Sequence, residues 1–373
     1  MCCSKVMFPT AETDFGLSML RCVPSNVSLV VSPISVIFTL AMVHVGSKGS
    51  TRFEIERVIS KGADTEGFNS VEGYYARLFN RIENRWGHGA SSRIFNRFFL
   101  NKRADVEMEY EASMLSFYNA KIDRMDFGTA NKTAWIIAGH ICASTDGKIC
   151  GMVKEENVKN MFSLVVSTNH FTGEWKFKFD KSSNSKGTFY SSEGKEREVE
   201  YMNGSNQEIL HAEDDDVQVL SLPYLDTSYA LNIFLPKNRS GLHEIRARLT
   251  GERVQSLLSK LKKTIISITI PKMKIEAGLN LEKALKDMSV SRSFSTKADF
   301  TGIINRRLLV AGAAHKAIIK VDEDGTTAAG ATVFSRFESM SAIVGERVKF
   351  EANHPFLFIL TKDNDPLFMG QFV

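Results

Sequence analysis

Residues able to do chemistry are scattered along this 373-residue chain in patterns that fit no catalytic template. There is no G-x-S-x-G nucleophile turn, no phosphate-cradling G-x-x-x-x-G-K-[ST], no H-E-x-x-H and no G-x-G-x-x-G. The eight histidines and the carboxylates show no spacing that suits metal ligation or acid–base work. Asp322-Glu323-Asp324-Gly325 resembles a calcium loop only in its first residues, because the remaining loop ligands are missing, so it reads as an acidic turn. No catalytic residue, metal site or cofactor is expected. The informative stretch flanks that turn on both sides. A β-like run, Ala317-Ile318-Ile319-Lys320-Val321, leads through the acidic turn into a string of small residues, Thr326-Thr327-Ala328-Ala329-Gly330-Ala331-Thr332. No turn chemistry demands small residues there. They allow a segment to pass between neighbouring strands without side-chain collision, and Thr and Val keep an extended conformation accessible. The stretch reads as a loop able to become a strand.

The elements that must position this loop are legible in outline. Ser35 to Val45 is an apolar helix entered through Ser-Pro, and Gly67–Trp86 and Ala130–Thr145 carry helical spacing, the latter stopping at Asp146-Gly147. Beyond Phe162 the texture changes to short β-branched and aromatic runs: Leu164–Phe171, Val217–Pro223, Tyr229–Leu235, Ile265–Ile270, Lys316–Val321 and Phe356–Leu360. Helices first and strands afterwards predict an α+β fold. No Gly/Ser/Pro-rich linker or repeat divides the chain, so 1–373 reads as one domain.

Composition narrows the classes. With 43% hydrophobic residues and 26 Phe, disorder is excluded. A net charge of +4 gives no reason to expect a nucleic-acid partner. The longest apolar stretch, Leu29 to Val45, is broken by Ser32, Pro33, Ser35 and His44 and predicts no membrane span. Cys2, Cys3, Cys22, Cys142 and Cys150 form no disulfide or zinc framework and read as core or free thiols suited to a reducing compartment. With no secretory leader in the first twenty-five residues, the expectation is a cytoplasmic protein, or one secreted without a cleaved signal.

Val321-Asp322-Glu323-Asp324-Gly325-Thr326-Thr327-Ala328-Ala329-Gly330-Ala331 closely resembles the inhibitory hinge of the serpin (serine protease inhibitor) family. Asn26-Val27 through Ser32-Pro33-Ile34-Ser35 resembles the family's N-V-x-x-S-P-x-S, Thr145-Asp146-Gly147-Lys148-Ile149 its T-x-G-K-I, and Phe171-Thr172-Gly173-Glu174-Trp175 its F-K-G-x-W. Leu222-Pro223-Tyr224, Leu235-Pro236, Pro271-Lys272-Met273, Asn353-His354-Pro355-Phe356 and Leu367-Phe368-Met369-Gly370 resemble further blocks, all in family order. The resemblance is to intracellular, ovalbumin-like and invertebrate inhibitory serpins. It implies three β-sheets, about eight or nine helices and an exposed reactive-centre loop over about 325–348.

The resemblance also implies a mechanism: a protease cuts the loop, forms an acyl-enzyme, and is trapped when the loop inserts as a new strand in the central sheet. Roughly ten new ladder hydrogen bonds at about 1 kcal/mol each, with apolar burial, drive the step. Strand period two puts Thr326, Ala328, Gly330, Thr332 and Phe334 on the inward face, all small or apolar, with Arg336 as the awkward continuation. Family spacing places the reactive bond at Ser339–Met340, with Glu338–Ser339 and Met340–Ser341 as alternatives. Met340 and Phe337 favour a chymotrypsin- or elastase-like serine protease as the covalent partner, and a papain-like cysteine protease is a further candidate. A shutter maps onto Ser32, Ser35, Ser167 and His315, with Ser167 where the family usually has Asn. A breach maps onto Trp175, Lys272 and Glu323, with a Lys272–Glu323 salt bridge. Arg77, Arg81 and Arg85 at i, i+4 and i+8 line one helix face, a candidate glycosaminoglycan surface. The protein is expected to be a monomer. The competing readings are a non-inhibitory serpin acting as carrier, chaperone or storage protein, and an α+β hydrolase, which the missing nucleophile motif opposes.

Overall fold

A computed structural model describes residues 7–64, 70–83, 89–120, 122–159, 161–191, 195–305, 313–326 and 348–373. Its centre is a 13-residue helix, Pro33–Val45 (α2; α1, Phe8–Arg21, precedes it), apolar around nearly its whole circumference and buried from Pro33 to His44. Ser32 is extended at the cap position (φ −112°, ψ 93°) and Pro33 takes the first helical position, where its missing N–H costs nothing. The helix therefore includes Pro33, two residues earlier than its apolar run suggests. Around it lie α3 (Gly49–Ser60), α4 (Val71–Ile82) and α5 (Met108–Tyr118), with α6 (Ala130–Ser144) further along the chain. Ser70 Oγ accepts the Gly73 N–H at 3.0 Å and fixes the start of α4.

Among the described residues the strands make two hydrogen-bonded sheets. The larger runs β1 (Leu29–Val31), β15 (Asp365–Phe372), β14 (Phe356–Lys362), β8 (Tyr229–Pro236), β7 (Val217–Pro223), β6 (Glu196–Glu213), β9 (Lys262–Pro271) and β13 (Val348–Glu351), with β5 (Ser185–Tyr190) also on β6. The 18-residue β6 pairs at its end with β7 and along its body with β9, and its register shifts between Gly204 and Gln207. That long strand joins two sheet segments into one continuous ladder, so the three expected sheets trace as two.

The smaller sheet carries the interest. Its order is β10 (Met273–Asn280), β11 (Ala313–Val321), β12 (Gly325–Thr326), β4 (Ser163–Glu174), β2 (Ala90–Asn101) and β3 (Asp123–Met125). β4 is buried on both faces, which explains its nearly unbroken run of buried residues. β2 is a correction to the helix-first reading: twelve residues of strand stand in the first half, and the helices α7 (Leu242–Arg248), α8 (Gly251–Ser259) and α9 (Leu281–Asp287) in the second. Nine α-helices are present among the described residues. One apolar cluster runs from Phe8 to Phe372 through both sheets and α2, and a second lies between α6 and the smaller sheet.

One polar group inside this core titrates abnormally. Glu12 of α1 is fully buried beside Asp365 and Tyr74, and Arg81 of α4 bonds Asp365 from its more exposed side. Burial, then the Asp365 charge, pushes the Glu12 carboxyl well above its ordinary 4.5. Asp365 is also raised, chiefly by burial. A raised acid stabilises the fold fully below its unfolded value, and that contribution is lost as pH rises through the folded value. Wild type should therefore lose melting temperature relative to Glu12→Gln as pH rises from the ordinary glutamate value of 4.5 through the raised one. A gap that stays constant across that range would remove Glu12 as the titrating group.

Candidate functional site

The site is a seam in the smaller sheet. β4 and β11 pair directly and in parallel from Val165↔Ala313 to Asn169↔Ala317. Among the described residues that ladder stops there, and further along the two strands are separated by β12. Gly325 pairs with Glu174 and Thr326 with Gly173 on one side, while Thr326 pairs with Val321 on the other. The backbone of Gly325 lies so close to β4 that a Cβ would sit 1.9 Å from the Gly173 oxygen, and its φ of +152° is one that L residues rarely adopt. Thr326 is buried and its hydroxyl meets Tyr224 Oη at 2.5 Å.

The residues just before β12 are held by lysines and by backbone. Lys320 pairs with Asp322 at 2.8 Å, Lys272 with Glu323 at 2.7 Å and Lys181 with Asp324 at 2.8 Å. The three carboxylates of the calcium-like run are thus each engaged by an ammonium. Trp175 Nε1 donates to the Asp322 carbonyl at 2.8 Å, the Trp175 N–H to that of Asp324 at 3.0 Å, and the Phe179 N–H to that of Glu323 at 3.1 Å. The Trp175 ring stacks on Tyr224 at 4.5 Å. So Trp175, Lys272 and Glu323 do come together, and Tyr224, Asn184, Lys181 and Glu200 join them. Burial pushes the Glu323 carboxyl up, but Lys272 and Asn184 outweigh it and hold it below its ordinary value. Tyr224 follows a proline in the Leu-Pro-Tyr block, but its role as the partner of Thr326 leaves no local trace in the sequence.

Ser32, Ser35, Ser167 and His315 also meet, under the stretch where β4 and β11 pair. Ser167 Oγ donates to Ser35 Oγ at 2.9 Å, Ser35 Oγ to the Ser32 carbonyl at 3.2 Å, and Ser32 Oγ to the Leu367 carbonyl of β15 at 2.7 Å. The Ser32 N–H donates to His315 Nε2 at 3.0 Å, which fixes that nitrogen as the unprotonated one. Burial holds the His315 ring down to about 4, so it is neutral. The missing Asn at 167 is answered two residues along the same strand face. Asn169 donates to Ser32 Oγ at 3.1 Å and accepts from Ser92 Oγ at 3.1 Å, while Asn96 of β2 donates to the Ser35 carbonyl at 3.0 Å. Strand period two, applied from Ser167, points to Asn169.

The other sequence expectations fare differently. Thr327 to Ala331 of the hinge, and Glu338, Ser339, Met340 and Ser341, lie outside the described residues, as do Cys2, Cys3 and Arg85. Arg81 is bonded to the buried Asp365 and Arg77 is exposed on the same helix face; nearby, Arg93 pairs with Asp146 at 2.6 Å and Lys102 with Asp126 at 2.7 Å. The basic stripe is therefore not a row of unengaged cations. The cysteine reading needs correction: Cys142 and Cys150 form a disulfide, and Cys22 is the free cysteine among the described residues. The Asp146-Gly147 reversal at the end of α6 brings positions eight apart together, a signal the odd cysteine count obscured.

The seam generates two expectations. Asn169→Ala leaves Ser92 and Ser32 with unmade buried bonds, a loss of about 1–3 kcal/mol, read as a lower native melting temperature, whereas Asn184→Ala at the more open hinge root should cost less; the reverse order would contradict the latch. His315 and His170 are both depressed to about 4, by burial in each case. Groups with depressed pKa stabilise the fold above their unfolded value, here 6.5, and that contribution disappears as pH falls toward 4. Melting temperature should fall across this window, and less steeply in His315→Gln.

Three comparisons bear on this arrangement. The family model described as Serpin (serine protease inhibitor) matches residues 10–373. Serpin B6 of Pongo abelii is 29% identical over 97% of this chain and 98% of its own length, and Iripin-2 of Ixodes ricinus is 28% identical over 97% and 92%. Serpin48 of the insect Tenebrio molitor, described as a highly specific serpin, superposes with a TM-score of 0.84 at 25% identity, over 98% of this chain and 97% of its own. A seam holding the first residues of a hinge, found in a chain matched by that family model over nearly its whole length, leads to one conclusion: this protein belongs to the serpin family.

Proposed function

We propose that the protein is an inhibitory serpin, a suicide substrate whose loop is cut by a protease and then inserts between β4 and β11 while the acyl-enzyme persists. The observation that carries this reading is β12. Gly325 and Thr326 already stand as a two-residue strand between β4 and β11, antiparallel to both. Extending that strand would continue with Thr327, Ala328, Ala329, Gly330 and Ala331, small enough to enter between parted strands without colliding with their side chains. The reactive bond is Ser339–Met340 in this reading, with Glu338–Ser339 and Met340–Ser341 as alternatives. The target is a serine protease of chymotrypsin or elastase type, with a papain-like cysteine protease as the second candidate. Ser32, Ser35, Ser167 and His315 act as the latch that must open, and Trp175, Lys272 and Glu323 as the clamp on the loop's root. The protein works as a monomer. The Cys142–Cys150 disulfide supports action in an oxidising compartment, where such bonds persist.

Incubation with chymotrypsin, elastase, trypsin, an acid-preferring granzyme and a cathepsin tests this. A denaturation-resistant adduct with release of a fragment beginning at Met340 is expected with the chymotrypsin or elastase type. Loop cleavage with no adduct and no gain in thermal stability would sink the inhibitor reading in favour of a carrier, chaperone or storage serpin.

A further inference from the structure

We infer that the Cys142–Cys150 disulfide is a reducible site through which a dithiol sets how readily the seam opens; this rests on the insertion reading above. The bond lies on the element that covers the seam. Ala134, Ile137 and Ile141 of α6 pack in one cluster with Phe95 and Phe99 of β2, Leu164 and Val166 of β4 and, at its margin, Ile318 of β11. The segment returning from α6 to β4 adds Ile149, Val153 and Val158 to the same cluster. Helix and return segment thus share one apolar cluster with both strands that a new strand must separate, β11 entering it at the margin through Ile318. β4 and β11 cannot move apart while one cover remains packed on both.

The disulfide joins the two parts of that cover. Cys142 stands in the last turn of α6 and Cys150 eight residues later, with their Cα atoms 4.5 Å apart. Inside this ring the chain reverses at Asp146 (φ 48°) and Gly147 (φ 74°). The Gly147 N–H bonds the Cys142 carbonyl at 2.8 Å, and Thr145 Oγ1 accepts the Ile149 N–H at 3.1 Å while donating to the Ile141 carbonyl at 2.8 Å. Arg93 of β2 pins the reversal through Asp146 at 2.6 Å. Oxidised, the end of α6 and the strand-ward segment at Ile149 are obliged to move as one body. Reduced, they are joined by the short main-chain reversal, these exchangeable bonds and the shared apolar packing, with no cross-link to stop the return segment lifting while the helix stays.

The bond is placed for exchange. Cys150 is exposed and Cys142 half-buried, so an external thiolate has access to Cys150 Sγ. A dithiol reductant attacks there, forming a mixed disulfide and releasing Cys142 as thiolate. Its second thiol then attacks the mixed disulfide, releasing Cys150 and closing the reductant's own disulfide. Two electrons and two protons pass from dithiol to protein. Cys22, half-buried between α1 and α9, has its thiol raised above the ordinary value by burial and takes no part.

The test uses the full-length protein, oxidised or reduced with dithiothreitol and alkylated, beside a Cys142→Ser/Cys150→Ser variant. The readout is the rate at which a synthetic peptide with the sequence of residues 326–338 anneals, followed as gain in thermal stability. Several-fold faster annealing is expected in the reduced protein and in the variant, with no further gain when the variant is treated with dithiol. Equal rates in oxidised and reduced protein overturn the inference, even if adducts with proteases form normally. Alkylation that modifies both Cys142 and Cys150 in protein never exposed to reductant overturns it too. Failure of the peptide to anneal to any form overturns the insertion reading and this inference with it.

Discussion

The whole structure turns on one short parallel pairing, five residues each from β4 and β11, at Val165–Asn169 and Ala313–Ala317. Sheet strands in a protein core are normally joined along their full overlap, since each unmade backbone bond in a dry interior is costly. Here the overlap is divided. One end is closed by direct pairing and the other is occupied by Gly325 and Thr326, whose backbone groups complete both neighbours. Between the two, residues 170–172 of β4 and 318–320 of β11 carry no pairing across the seam among the described residues.

The groups packed under the direct pairing are polar, and this is a consequential choice. An apolar seam would gain stability from close packing and would part only by exposing carbon to water or to a cavity. The cluster of Ser32, Ser35, Ser167, Asn169, Asn96 and His315 is held instead by bonds of about 1 kcal/mol net each. Neutral His315 fits the same logic. A charged imidazolium would need an anion here, while the neutral ring accepts the Ser32 N–H and adds no charge to be desolvated.

Much of this is legible in the sequence because local signals agree with the global fold. The Ser-Pro entry announces α2, the β-branched runs announce β7, β8 and β14 nearly to the residue, and the ordered blocks announce the family. β2 escapes because Arg93, Asn96 and Arg97 break the apolar alternation; the structure engages Arg93 with Asp146 and turns Asn96 inward to the Ser35 carbonyl. Tertiary partners, not strand propensity, decide such positions. The Lys272–Glu323 pair is visible through the family pattern. Lys181–Asp324 and Lys320–Asp322 are not, because surface lysines carry no mark of the carboxylate they will meet.

The replacement of the usual Asn by Ser167 shows what the latch requires and what it does not. The Ser167 hydroxyl donates to Ser35 Oγ, but it has one proton on a short side chain where an amide carries two donors and a separate acceptor. Asn169 supplies the missing bridge, with its amide nitrogen on Ser32 and its oxygen on Ser92, from the next position on the same strand face. Moving the amide by two residues shifts it about 6.5 Å along β4, toward the end of the direct pairing and the place where β12 begins. This two-partner bridge therefore stands at the last pair of the direct β4–β11 ladder. What the resemblance places in the middle of the seam, this chain places at the end of the direct pairing, so under the proposed insertion it is the first step of separation that would meet the amide bridge.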